Sequence, residues 1–388
     1  MKRVLFVSNG HGEAAIADRI AEELRNIAPS VEADHLALVG EARSSYMRDV
    51  GPQRQMPSGG IIAMANVRNI ARDLRGGLIG LTLAQRRFLQ RARGEYMHTI
   101  AVGDVYALLM TYAARTPATF VGTAKSVRVA PYGSMEERVL RRADAIFVRD
   151  EPTAERLRGH GVPAEAPGNV IVDLFATHDD PEAARAVAGF EPVLAIFPGS
   201  RESAYEDAIF LAAVARACST NHPALGAALS IAPMLDAERF VAGFEADGWT
   251  VERHTNDERI PFSLRDGDRT IVRAWRGAIG PLISRATTIV GQAGTANEAA
   301  AAAGVPVIAF ELSNDRKTRW YRMRQHGLLD GALEVLPGEP AAASAGVEAL
   351  LADPARIARM GTIGRERMGA PGGARAIAAR IAERLHAS

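Results

Sequence analysis

The chain has 388 residues, enough for two domains of ordinary size. Its 47% hydrophobic and 23% charged content is that of a globular protein, and a net charge of +1 offers no global field for nucleic acid. One cysteine, Cys218, excludes a disulfide framework and a cysteine-rich zinc site, and suits a reducing compartment.

The opening Met-Lys-Arg-Val-Leu-Phe-Val-Ser has too short an apolar run for a signal peptide and reads as a first strand ending at Ser8. No window offers about 18 uninterrupted apolar residues, so no membrane span is expected. Asn9-Gly-His-Gly12 is a turn, and Ala14–Ile27 carries Ile16, Ile20, Leu24 and Ile27 at helical spacing. Strands follow at His35–Val39, Thr99–Val102, Ala118–Val121 and Ala145–Val148, with helices between them. Strand alternating with helix is the pattern of a parallel, doubly wound sheet. Gly161-Val-Pro-Ala-Glu-Ala-Pro-Gly is rich in proline and glycine and marks a domain boundary.

The pattern then restarts. Val193–Phe197 is an apolar strand closed by Pro198-Gly199-Ser200-Arg201, and a helix over 208–217 and a strand over 227–232 follow. Thr250–Arg253 and Thr270–Val272 are short strand candidates. Thr288–Val290 is β-branched and apolar, Gly291 and Gly294 break it, and Thr295 can cap a helix running to Ala303. Gly304 stops that helix before the strand Val305–Phe310. Residues 341–385 read as mostly helical, interrupted at Gly369–Gly373. The expected domains are 1–170 and 171–360, with 361–388 packing back on the first. Two such halves with a ligand cleft between them are where binding sites tend to sit.

Strand-end turns supply the candidate sites. A helix beginning on the 291–295 turn aims free N–H groups and a positive dipole end at an anion, for which a diphosphate is the natural guest. Gln292, Gly294 and Thr295 belong to that turn, and Glu298 lies one turn on, placed for ribose hydroxyls. Arg201, with Gly199 and Ser200, sits at the carboxyl edge of the sheet; its guanidinium suits a phosphate, or it is a surface arginine paired with Glu202 or Glu206. Asn9, Gly10, His11 and Glu13 form the corresponding turn of the first half. With Asn9 and Gly10 the turn can bind the acceptor or approach the donor phosphates, and His11 or Glu13 can serve in proton transfer; otherwise the turn is only close-packed, with Glu13 capping the helix. Asp104 is a general base or an N-cap; sequence does not separate the two. Trp275 begins a loop that either holds a base or buries an indole.

Residues 66–93 set seven arginines against one aspartate, with Val67, Ile70, Leu74, Leu78, Ile79, Leu81 and Leu83 between them. Such a segment suits an anionic bilayer or a lipid head group, with Arg72, Arg75, Arg86 and Arg87 as its cations and Leu78 and Ile79 as its apolar contacts; otherwise it is a helix with a solvated basic face. No His/Asp/Glu group has metal-ligand spacing, and no Gly-x-x-x-x-Gly-Lys-Ser/Thr loop is present.

Taken together, Ser8-Asn-Gly-His-Gly-Glu13, Pro57-Ser-Gly-Gly60 with Arg72-Asp-Leu-Arg75, Val102-Gly-Asp104, Phe120-Val-Gly-Thr-Ala-Lys-Ser126, Pro198-Gly-Ser-Arg201 and Gln292-Ala-Gly-Thr-Ala-Asn-Glu298 resemble the lipid A disaccharide synthase group of glycosyltransferases. The closer resemblance is to its branch of synthase-related proteins. It implies a GT-B fold of two Rossmann-like domains with parallel sheets facing a central cleft. It implies inverting, metal-independent transfer from a UDP-sugar to a lipid-linked acceptor at the inner face of the cytoplasmic membrane. By position, Arg201, Gly294, Thr295 and Glu298 would hold UDP and Asp104 would be the base. The synthase's Gly-Glu-Ala-Ser-Gly-Asp motif is replaced here by Asn9-Gly-His-Gly-Glu13, so the donor half transfers better than the acceptor half. A UDP-sugar epimerase or hydrolase, and a non-catalytic lipid or nucleotide-sugar binder, are the alternatives.

Overall fold

The computed structural model describes residues 2–40, 44–54, 77–175, 179–312 and 316–387. The chain divides into two compact units, one of residues 1–174 with 370–388 and the other of 175–369.

The first unit holds a seven-stranded parallel sheet: β1 (Lys2–Ser8), β2 (Val31–Ala37), β3 (Arg48–Asp49), β4 (His98–Gly103), β5 (Ala118–Gly122), β6 (Ala145–Val148) and β7 (Ala164–Glu165). Their spatial order is β3-β2-β1-β4-β5-β6-β7. The chain steps outward from β1 to β3, then returns to place β4 on the other side of β1, with Ser8 beside Val102. Loops leaving β1 and β4 therefore share the switch point, the usual ligand crevice of an open α/β sheet. Strands buried on both faces read as continuous apolar runs, which is why β1, β4, β5 and β6 stand out in the sequence.

The His11–Ile27 helix buries Ile16, Ile20 and Leu24, but Ile27 at its end stays 38% exposed. Its neighbour is the Gly373–Ala387 helix, which buries Ile377, Ala378, Ile381 and Leu385. Asp173 fixes the start of that last helix by accepting from the N–H groups of Gly372 (2.5 Å) and Ala374 (2.7 Å). The Pro354–Met368 helix stays in the second unit, against the Thr295–Ala303 helix, so the chain crosses between units after Gly369 rather than after residue 360.

The second unit holds eight strands in the order β10-β11-β12-β9-β8-β13-β14-β15. They are β8 (Val193–Phe197), β9 (Gly226–Ser230), β10 (Thr250–Arg253), β11 (Phe262–Asp266), β12 (Arg269–Trp275), β13 (Thr288–Gly291), β14 (Val307–Glu311) and β15 (Leu333–Pro337). Six run parallel, from β12 through β15; β11 is antiparallel to both its neighbours, so this sheet is mixed at one edge. Gly267 (φ 58°) opens the two-residue β11–β12 turn, a position that favours glycine. The switch point lies between β8 and β13, where Phe197 pairs with Gly291. The core over this sheet includes Leu211, Phe240, Phe244, Phe262 and Phe310.

Candidate functional site

In the first unit, Asp104 closes β4 at the switch point. Its Oδ1 accepts from the N–H groups of Tyr106 (2.9 Å) and Ala107 (3.1 Å), so it is the N-cap of the Val105–Thr111 helix. Its Oδ2 accepts from Nδ2 of Asn9 at 2.9 Å, which ties the β4 loop to the β1 loop. Burial raises the Asp104 carboxyl above its ordinary value against these three donors, and the charge of Glu136 adds to the rise.

Glu13, half-buried in the first turn of the His11–Ile27 helix, reaches across the same edge. A Cβ on Gly10 (φ 145°) would stand 2.5 Å from its Oε2, and one on Gly103 (φ 128°) 3.0 Å from its Cγ. The two glycines leave room for this carboxyl, and both backbone angles favour glycine. Burial raises the Glu13 carboxyl too, and the charge of Asp104 pushes it further the same way. Two carboxyls with raised values at one sheet edge are groups poised to hold or take a proton. The side chain of His11, and the whole of Arg72 and Arg75, lie outside the described residues.

The motif at 120–126, whose role is not legible in the sequence, builds the wall beside this edge. Thr123 N–H donates to the Gly103 carbonyl at 3.1 Å, carrying the β5 loop next to Asp104. Lys125 pairs with Glu136 at 2.6 Å, and its ammonium lies 5.6 Å from the ring centroid of Tyr132. The Tyr132 hydroxyl is buried and has no partner among the described residues. Burial, then the charges of Glu136 and Asp104, raise its phenol.

In the second unit, the two expected donor loops leave adjacent strands. The N–H groups of Gln292 (2.9 Å) and Ala293 (3.1 Å) both donate to the Phe197 carbonyl, hanging the glycine loop on the end of β8. Gly291 must be glycine: a Cβ there would stand 2.6 Å from Asn297 Oδ1 and 3.2 Å from the Phe197 carbonyl. Gly294, not Thr295, is the N-cap of the Thr295–Ala303 helix; Thr295 is its first residue, and the N-cap glycine has no side chain with which to cap the turn. The helix thus presents its N-terminus at exposed Gly294 and Thr295.

On the neighbouring loop, Gly199 takes φ 117°, and Ser200 and Arg201 are exposed. Arg201 has no ion pair or side-chain hydrogen bond among the described residues. Glu202 pairs with Arg239, so the expected partnership of Arg201 with Glu202 is absent. Glu298 is half-buried one turn into the helix.

Two expected ligand contacts are corrected. Trp275 is fully buried: its Nε1 donates to the Ala278 carbonyl at 2.9 Å and its own carbonyl accepts from Ile231. It has no open face for a base and belongs to the core. The Gln292 side chain is turned inward, donating to the Phe310 carbonyl at 3.0 Å and accepting from Arg322, so it anchors the loop. Arg322 was invisible in the sequence: it lies in a strongly polar helix, Arg316–Leu329, without a clear apolar period, and its burial is set by tertiary packing alone.

Of the basic segment, the Leu78–Arg91 helix is described. Leu81, Gln85 and Leu89 face the core, and Leu78 is half-buried. Ile79 (61%) and Leu83 (46%) are exposed one turn apart, with Arg86 and Arg87 exposed beyond them. Among the described residues no helix is long and apolar enough to cross a membrane, and no group of three His, Cys, Asp or Glu residues is placed to hold a metal ion.

Two Rossmann-like α/β units with this strand order define the fold class as GT-B. The chain is similar over its whole length to solved structures of that class. MnaA of S. aureus, solved with UDP, aligns at TM-score 0.63 and 14% identity, covering 100% of this chain and 97% of that one. UDP-GlcNAc 2-epimerase of Neisseria meningitidis, bound to UDP-GlcNAc, aligns at TM-score 0.59 and 13% identity, covering 100% of both. The calicheamicin glycosyltransferase CalG4 aligns at TM-score 0.60 and 16% identity, covering 100% of this chain and 98% of that one. No protein-family model and no curated protein sequence matches the chain.

Proposed function

We propose that this chain is a UDP-sugar-dependent enzyme, an inverting glycosyltransferase that moves a hexose or N-acetylhexosamine unit onto a lipid or lipid-linked acceptor. The observation that carries this reading is the second unit's switch point: an exposed nine-residue helix N-terminus, with a glycine at its N-cap, beside a loop with an exposed arginine, Arg201. That pairing offers N–H donors, a dipole and a guanidinium to a diphosphate. The UDP and UDP-GlcNAc held by the S. aureus and N. meningitidis proteins of the same fold support the choice of nucleotide. The sequence resemblance to lipid A disaccharide synthase-related proteins supports transfer to a lipid.

In this reading Asp104 or His11 takes the proton of the acceptor hydroxyl. The hydroxyl oxygen bonds to the anomeric carbon from the face opposite the nucleotide. The bond from that carbon to the diphosphate oxygen breaks, and its electron pair leaves with UDP. Arg201 and the helix N-terminus stabilise the charge that develops there, so the step needs no metal ion. Glu298 holds the ribose hydroxyls. Ile79, Leu83, Arg86 and Arg87 rest on the anionic inner face of the cytoplasmic membrane, where the acceptor lies.

The Glu13–Asp104 pair favours a second reading, a UDP-sugar epimerase or hydrolase. Two carboxyls raised by burial at one edge suit proton exchange without an acceptor. Incubation with UDP-GlcNAc or UDP-glucose, with and without a bacterial lipid extract, tests the choice. UDP release that requires lipid, with a new glycolipid, is the expected result. An epimerised or hydrolysed sugar without lipid would replace transfer by the second reading, and no turnover despite uridine binding would leave a binding protein.

A further inference from the structure

Arg322 is 8% exposed, a buried cation beneath the glycine loop. Its Nη2 donates to the Gln292 carbonyl at 3.1 Å and to the Gln292 side-chain oxygen, and its Nη1 donates to Oε1 of Gln325 at 3.0 Å. Gln325 passes the contact on: its Nε2 donates to the carbonyls of Ala293 (3.0 Å) and Gly294 (3.2 Å). Three successive loop carbonyls, 292 to 294, are thus drawn toward one helix, Arg316–Leu329.

A trans peptide sets its C=O and the following N–H in opposite directions. Pulling the carbonyls of Ala293 and Gly294 toward Gln325 therefore turns the N–H groups of Gly294 and Thr295 the other way, toward the exposed side of the loop. A guanidinium this deep is expensive to bury without an anion. Its Nε–H is buried and has no partner among the described residues. Asp207 is the acidic group whose charge acts on it, and burial pushes that carboxyl up to about 6 against the pull of the guanidinium. Burial lowers Arg322 itself only to about 10, which leaves it cationic at neutral pH.

We propose that Arg322, acting with Gln325, is a positioning residue of the donor site: it clamps the loop carbonyls from behind, so that the N–H groups of Gly294 and Thr295 face a diphosphate, and supplies a buried positive charge that the diphosphate feels without touching. This deepens the donor-site reading given above and rests on it. The consequence is a selectivity signature. Loss of the clamp weakens ligands carrying a diphosphate and spares a nucleoside that lacks one.

The test is calorimetric titration of the full chain and its Arg322→Gln, Arg322→Lys and Gln325→Ala variants with UDP, uridine and inorganic pyrophosphate. Arg322→Gln is expected to weaken UDP and pyrophosphate at least tenfold and to change uridine binding less than twofold, with Arg322→Lys recovering part of the loss. Equal weakening of UDP and uridine, or none, overturns the proposal. If Arg322→Gln fails to fold, Gln325→Ala, which keeps the cation, must still weaken pyrophosphate more than uridine, and a variant that does not overturns the clamp. Wild-type binding of pyrophosphate without uridine selectivity, lost in the variants, keeps the clamp and sinks the UDP reading. Wild-type binding of neither sinks both.

Discussion

Nδ2 of Asn9 donates to Oδ2 of Asp104 at 2.9 Å, joining the loop after β1 to the loop after β4 at the switch point of the first sheet. It is the one side-chain donor in a set of three; the other two are backbone N–H groups of the helix that Asp104 caps. The bond favours the ionised carboxylate against burial, which favours the neutral acid. Asn9→Ala removes it, so the Asp104 value should rise further. The acid limb of the pH–rate profile should then move to higher pH, with a fall of about 1–2 kcal/mol in stability. An unmoved limb would take Asp104 out of the proton-transfer step.

Capping and catalysis at Asp104 can be separated by two substitutions. Asparagine is as good an N-cap as aspartate, and the Asn9 amide can turn over to accept from it through the Oδ1 that has no partner among the described residues, so Asp104→Asn should melt near the wild type while turnover drops about 10²–10⁴-fold. Asp104→Ala should lose turnover and also about 2–3 kcal/mol of stability, the cap and the Asn9 bond going together. Turnover kept in Asp104→Asn would assign the base to Glu13 or His11.

Asp207 gives a pH signature in the second unit. Burial pushes its carboxyl up to about 6, against the Ser203 hydrogen bond and the charge of Arg322. A carboxyl raised on folding contributes stability below its unfolded value, and that contribution is lost as pH rises through the folded value, here about 6. Asparagine imitates the protonated form. Asp207→Asn should therefore match the wild type near about pH 4 and exceed it above about pH 7, by about 1–2 kcal/mol once solvent screening of this partly exposed carboxyl is discounted. Urea unfolding at the two pH values reads this directly, and an equal difference at both would contradict it.

Ile79 and Leu83 put an apolar pair on the solvent side of a helix whose last turns carry Arg86 and Arg87. Sedimentation with vesicles containing about one third anionic lipid should pull down the wild type. Ile79→Asp with Leu83→Asp should abolish that, and Arg86→Gln with Arg87→Gln should weaken it in a salt-dependent way. Equal recovery with neutral vesicles, or none with either, would remove the membrane from the account.

The strand ends that build both switch points were legible in the sequence. An apolar run closed by glycine reads the same way at Ser8-Asn-Gly10, Val102-Gly103, Phe197-Pro-Gly199 and Val290-Gly291, because a fully buried parallel strand needs an unbroken run and a tight exit. What pairs with what was not legible: the Asn9–Asp104 bond and the Arg322 clamp join residues 95 and 30 positions apart. Of the two readings of Trp275 the buried indole holds, because β12 is an interior strand at that point and an aromatic near its end faces the core. β11 went unread although Asp266-Gly267-Asp268 is a hairpin signal, because its strand Phe-Ser-Leu-Arg-Asp alternates only over five residues.

The most direct test is calorimetric titration of the wild type and Arg201→Ala with UDP, UDP-GlcNAc, UDP-glucose and ADP, each with and without chelator. The account predicts selective uridine nucleotide binding that chelator does not change, weakened at least tenfold by Arg201→Ala. Absence of uridine binding, or UDP affinity untouched by Arg201→Ala, would contradict a diphosphate held between Arg201 and the Gly294 turn.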